Sequence, residues 1–195
     1  TASAPGGIED SDAYLHETAA RFVFGFVRSA LTSGCIAANY VELIESKRDH
    51  DGNWVSKVQN TITGEQSTIR SKVLINATGP LVDQINEIQK QHTDHRIVLS
   101  KGIHLLVEKL TQTKKVLDFF ASDWRLFFVI PMGVRTCIGT TDTPVDTPTN
   151  MVTAEDRSFV LNNINSFLNL DKPLEESDII AERCGVRPLV VSGEN

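Results

Sequence analysis

Apolar positions near the start of the chain recur with a helical period. Ala19, Phe22, Val23, Phe26, Val27, Ala30 and Leu31 fall at i, i+3, i+4, i+7, i+8, i+11 and i+12, a single stripe along one helix face. Gly34 stands where such a helix can close in a left-handed residue. Gly25, inside the stripe, weakens the helix or marks close packing against a neighbour. The period then shortens. Residues 35–44 are strand-like, Asp51-Gly52 is a hairpin-turn pair, residues 54–62 run back, and Gly64 turns the chain towards residues 67–69. The run Val73-Leu74-Ile75-Asn76-Ala77-Thr78-Gly79-Pro80 opens without alternation. It predicts a short parallel strand buried on both faces. That strand ends on small residues, where open α/β sheets bind ligands. Pro80 suits the first turn of a helix reaching about residue 90.

From residue 96 the pattern changes to alternation. Ile97, Leu99, Ile103, Leu105 and Val107 predict a half-buried strand broken around Gly102. Further strands are expected over 116–121, 126–131 and 136–140, with Met132-Gly133 as a turn. Residues 144–150 form a Pro/Thr loop. Thr153, with Asp156 three residues on, predicts a capped helix whose stripe is Val160, Leu161, Ile164, Phe167 and Leu168. A last strand is expected over 178–184. This second half is a meander of antiparallel sheet with one covering helix, so the fold class is α+β.

Composition narrows the function without naming it. The 195-residue chain carries a net charge of −6 and 41% hydrophobic residues, ordinary for a globular protein and unsuited to a general nucleic-acid surface. No apolar run approaches the roughly 18 residues of a membrane span. Three widely spaced cysteines, Cys35, Cys137 and Cys184, form no metal-ligand spacing with each other or with histidine. No metal site is expected, and reduced thiols fit a cytoplasmic protein. Asn76-Ala77-Thr78 matches a glycosylation sequon but falls in the predicted buried strand, which excludes it. The chain has twelve glycines and no G-x-G-x-x-G, so a late strand of a nucleotide-binding fold stands without its glycine loop.

Four blocks carry the chemistry: Ala77-Thr78-Gly79-Pro80, Ser100-Lys101-Gly102-Ile103-His104, Ile138-Gly139-Thr140-Thr141-Asp142 and Cys184-Gly185-Val186-Arg187-Pro188-Leu189. With Phe127-Phe128-Val129-Ile130-Pro131 ahead of the third, their order and separation resemble the FAD-dependent glycerol-3-phosphate dehydrogenases, flavoproteins of the D-amino-acid-oxidase type. The resemblance spans roughly residues 12–191. It implies a partial FAD-binding Rossmann-like domain over 1–94, with a β-hairpin insertion, and a substrate domain over 95–183. Residues 184–195 would return to the FAD domain. It also implies that the glycine loop lies upstream and that this chain is a central fragment of the enzyme. One departure is Ala19-Ala20-Arg21, where the family usually has an acidic residue before the arginine.

The resemblance implies oxidation of sn-glycerol 3-phosphate to dihydroxyacetone phosphate, with FAD as hydride acceptor and a membrane quinone as final acceptor. An oxygen-using oxidase, or an isolated fragment unable to retain FAD, are the alternatives. A cytoplasmic location, peripheral on the inner membrane face in the full-length protein, goes with it. His104 is either an inert, hydrogen-bonded histidine on a sheet face or, by resemblance, a catalytic residue beside flavin and substrate. Arg187 is either a surface arginine or a fixed guanidinium gripping an oxyanion, and by resemblance it is an active-site residue. Lys101 is a further substrate-binding candidate and Arg125 a weaker source of positive charge. A structural or solvent-facing role is the alternative for both. Thr140, Thr141 and Asp142 are expected only to shape a turn. Val41, Ala77, Thr78, Gly79 and Gly185 are the cofactor-binding candidates, through close backbone approach.

Overall fold

A computed structural model describes residues 6–11, 19–121 and 123–192. The chain divides into two compact units. One holds residues 18–98 and 188–195, the other residues 1–17 and 99–187. The divisions fall inside two long strands.

In the unit containing residues 18–98, the helical stripe becomes α1 (Ala19–Thr32). Gly34, at φ +85°, ends it. Its N–H donates to Leu31 O at 3.1 Å and the Cys35 N–H donates to Ala30 O at 3.0 Å, the paired bonds of a Schellman closure. The stripe itself is exposed among the described residues, with Phe26 64% accessible.

A three-stranded antiparallel meander follows: β1 (Val41–Arg48), β2 (Trp54–Asn60) and β3 (Gln66–Ser71). Residues 35–40, expected as strand, are not; Tyr40 has φ 57°, and β1 starts beyond it. The Asp51-Gly52 turn is present. Asp49 Oδ1 accepts from the Asp51 and Asn53 N–H groups, both at 2.9 Å, and Asp49 and Asp51 also hold Arg70 on β3. Trp54 is buried under the Arg48 guanidinium, and Ser46 and Ser56 share a buried hydroxyl contact at 3.0 Å.

Residues 73–78 correct the expectation of a buried strand. They form no regular structure, and Val73 and Ile75 are 70% and 81% exposed. A strand exists only where a neighbour completes its hydrogen-bond ladder. Among the described residues no other strand pairs with this segment. The sequon therefore cannot be dismissed by burial; instead the Asn76 amide donates to Val82 O and Asn86 Oδ1, both at 2.9 Å. The predicted helix is a 3₁₀ turn over Gly79–Leu81, with Pro80 in its first positions, running into α2 (Val82–Ile88).

The second unit is built on β4 (His95–Glu108), β5 (Leu117–Phe120), β6 (Leu126–Met132), β7 (Arg135–Gly139), β8 (Thr143–Val145) and β9 (Ala181–Ser192), all in one sheet. β4 is not broken at Gly102. β8 pairs with it at 99–101 and β7 at 104–108, so the ladder resumes on both sides of the glycine. α3 (Ala154–Phe167) covers one face. Its capping box forms as read: Thr153 Oγ1 accepts from the Asp156 N–H at 3.2 Å, and Asp156 Oδ2 accepts from the Thr153 N–H at 2.9 Å. Val160, Leu161 and Ile164 of α3 pack on Ile103, Leu105, Val107, Phe127, Val129 and Ile138 of the sheet. Phe167 adds a stacked contact with Phe119, ring centres 4.8 Å apart. The alternation predicted for β4 thus decides its faces. Ile103, Leu105 and Val107 point to the core, and Gly102 and His104 point away from it.

Candidate active site

The face of β4 turned away from α3 carries the candidate chemistry. Gly102 and His104 line an open cavity of about 310 Å³ together with residues 183–187 of β9. Arg183, Gly185 and Arg187 share parity along β9, so their side-chain positions fall on one face.

Arg187 is held from several sides. It donates to Thr140 Oγ1 at 3.0 Å and to Thr141 O at 3.3 Å, and lies 3.8 Å from Asp142 Oδ1. Ser100 donates to that same Asp142 oxygen. Thr141 also accepts from the Ile103 N–H at 3.1 Å, which stitches the segment after β7 to β4. Against Gly102 the guanidinium comes so close that a Cβ there would stand 2.2–2.5 Å from its atoms. His104 has a comparable floor. It pairs with Gly139 of β7, and a Cβ on Gly139 would stand 3.0 Å from its Cδ2.

Electrostatics favour a neutral imidazole. Burial first, then the Arg187 and Arg183 charges, push the His104 pKa below its ordinary 6.5. Near neutral pH the ring is therefore unprotonated and available to accept a proton, beside guanidinium groups that attract an anion.

Lys101 lies elsewhere. It shares the core-facing parity of Ile103 and Leu105, and its ammonium sits 2.5 Å from Asp156 Oδ2, with both side chains about 5–6% exposed. Burial pushes the Asp156 carboxyl up, but hydrogen bonds from Lys101 and Thr153 outweigh this and hold it below its ordinary range. Lys101 thus ties β4 to the capping box of α3 instead of lining the cavity. Arg125 pairs with Asp123 at 2.5 Å and lies over the Phe159 ring.

Of the cofactor candidates, Gly185 lines the same cavity as His104 and Arg187, and a Cβ there would meet open space. That bare backbone suits the flat approach of a ring system. Val41 opens β1, while Ala77, Thr78 and Gly79 occupy the unladdered segment and the 3₁₀ turn of the other unit. Gly79 has φ +58° and open space at its Cα, consistent with close backbone approach. Among the described residues no cluster of His, Cys, Asp or Glu could hold a metal, and no helix is long and apolar enough to cross a membrane.

The residue reading missed three things here: Arg183, the grip of Thr140 and Thr141 on Arg187, and the contact between Gly102 and that guanidinium. The first was accessible through the two-residue period of Arg183, Gly185 and Arg187. It was hidden because the strand was expected to end at 184.

Comparison with known proteins points the same way. The family model for FAD dependent oxidoreductases matches residues 2–195. The mitochondrial glycerol-3-phosphate dehydrogenase of Macaca fascicularis is 31% identical over 180 residues, which cover 88% of this chain and 25% of that protein. The X-ray structure of the glycerol-3-phosphate dehydrogenase from Bacillus halodurans, complexed with FAD, matches with a TM-score of 0.81 and 31% identity, over 90% of this chain and 36% of that one. The crystal structure of glycine oxidase from Geobacillus kaustophilus, at 21% identity and a TM-score of 0.58 over 82% of this chain and 39% of that one, shares the fold. The chain spans about a quarter of the length of the mitochondrial relative.

Proposed function

Because the chain belongs to the FAD dependent oxidoreductase family, we propose that the protein containing it oxidises sn-glycerol 3-phosphate to dihydroxyacetone phosphate. The observation that carries this reading is the pairing of a neutral His104 with a guanidinium already fixed in place, across one cavity. In this reading Arg187 binds the phosphate or the developing alkoxide, since a guanidinium stays charged and grips oxyanions in a forked geometry. A ring nitrogen of His104 accepts the C2 hydroxyl proton. Gly185 would meet the FAD through backbone approach at this cavity, and Val41, Ala77, Thr78 and Gly79 are cofactor-binding candidates of the other unit by the family resemblance alone. When bound, FAD supplies the two-electron acceptor for the alcohol. Lys101 acts by holding β4, and so His104 and Gly102, against α3.

The final electron acceptor in this reading is a membrane quinone, reached by a protein lying on the membrane surface. Measuring quinone-analogue reduction against peroxide release by the full-length enzyme tests this. Peroxide at the stoichiometry of substrate consumed would replace the quinone with oxygen. The substrate is tested by anaerobic bleaching of the flavin band. Glycerol 3-phosphate should bleach it at concentrations where glycerol does not, because its phosphate gives the guanidinium groups of the cavity an anion to hold before reaction and glycerol has none. Equal bleaching by both would overturn the assignment.

A further inference from the structure

We propose that Gly102 is the positioning residue of this site: its bare Cα is the seat on which the Arg187 guanidinium lies, aimed before any ligand arrives. The ligand class rests on the reading above; the seat rests on geometry alone. A Cβ at position 102 would stand 2.2 Å from Arg187 Nη2, 2.4 Å from Nη1 and 2.5 Å from Cζ. Only glycine allows that pose. Thr140 and Thr141 take the guanidinium's hydrogen bonds from the segment after β7, so the group is clamped between a flat floor and two acceptors. A free arginine must be ordered when it binds an anion, and that ordering weakens affinity; here it is done in advance.

The position also allows a clean test. Gly102 lies in a regular strand and is absent from the positive-φ glycines, so alanine meets no backbone strain there. The three atoms nearest that Cβ all belong to the far end of a flexible side chain, which can swing away. Gly139 is the contrast. Its φ is +149°, and a Cβ would stand 2.7 Å from the Ile103 carbonyl oxygen, so substitution there disturbs the backbone itself.

The experiment compares the full-length enzyme with its Gly102→Ala, Arg187→Leu and doubly substituted variants. Three quantities are read: KM for glycerol 3-phosphate, the inhibition constant of inorganic phosphate, and the titration of labelled His104 by NMR. In Gly102→Ala we expect KM and the phosphate constant to rise about tenfold, and the His104 pKa to rise towards 6.5 as the guanidinium moves off. In the Arg187→Leu background, adding Gly102→Ala should change none of the three. Unchanged phosphate inhibition and unchanged His104 titration in a folded Gly102→Ala enzyme would overturn the proposal. If Gly102→Ala does not fold, removing the arginine should restore folding, and failure to do so would also overturn it. If the unsubstituted enzyme neither oxidises glycerol 3-phosphate nor binds phosphate, the functional reading fails. The seat is then judged by the His104 titration alone.

Discussion

Removing both members of the Lys101–Asp156 pair should loosen β4 little more than removing either one alone. The two side chains are about 5–6% exposed and 2.5 Å apart. Breaking a buried pair leaves a charge without its partner, at a loss of about 3–5 kcal/mol. Asp156 retains the Thr153 N–H and hydroxyl at 2.9 and 3.1 Å, which places Lys101→Met at the low end, about 3 kcal/mol. Asp156→Asn should fall in the same range. Simple addition would then give about 6 kcal/mol, whereas the double variant leaves no orphaned charge and should lose about 3–4. The assay is amide hydrogen exchange at Leu105 and Val107, in the core-facing part of β4. Each single substitution should accelerate opening about 150-fold, and the double variant by a few hundredfold instead of more than 10⁴-fold. Single substitutions that change exchange less than about fivefold would refute the reasoning. So would a double variant whose acceleration is the product of the two singles. Acid should act in the same way. The Asp156 pKa is lowered on folding, so its contribution is present above its unfolded pKa and is lost as pH falls through the folded value.

Three further outcomes follow from the same geometry. The His104 pKa is lowered on folding, so the unfolded chain binds the proton more readily and stability falls as pH drops from 6.5 towards the folded value. His104→Gln should flatten that part of the urea-midpoint profile, and an unchanged slope would count against a buried, cation-flanked imidazole. Arg183→Gln should raise the His104 pKa in an NMR titration and raise KM for glycerol 3-phosphate about tenfold; no change in either would leave Arg183 outside the site. Ile164→Ala, at a fully buried position of α3, should lower unfolding free energy by about 2–5 kcal/mol in a urea titration, and a loss below about 1 kcal/mol would mean that α3 does not seal this sheet.

Much of the second unit was legible because its signals are local. Thr153 with Asp156 specified the capping box, and the alternation Ile103, Leu105, Val107 specified which way β4 faces. The same alternation placed Lys101 opposite His104. Grouping the two by nearness in sequence obscured this, since residues three apart on a strand point to opposite faces. The Asp51-Gly52 turn and the Gly34 closure were legible for the same local reason. The run at 73–78 was misread because apolarity states only that a segment can be buried, while a strand also needs partners to complete its ladder. Gly102 read as a strand break because glycine weakens strands; its actual use, as a floor for a side chain 85 positions later, has no local signature. The resemblance to glycerol-3-phosphate dehydrogenases rested on four short blocks, and the solved and curated relatives agree with it.

In the proposed function, His104 and Arg187 together bind and deprotonate a phosphorylated alcohol. The most direct measurement is single-turnover flavin reduction by saturating glycerol 3-phosphate, without oxygen, in the full-length enzyme and in its His104→Gln and Arg187→Ala variants. Each variant should reduce flavin at least about 100-fold more slowly. Reduction at near-normal rates in both would contradict the proposed function.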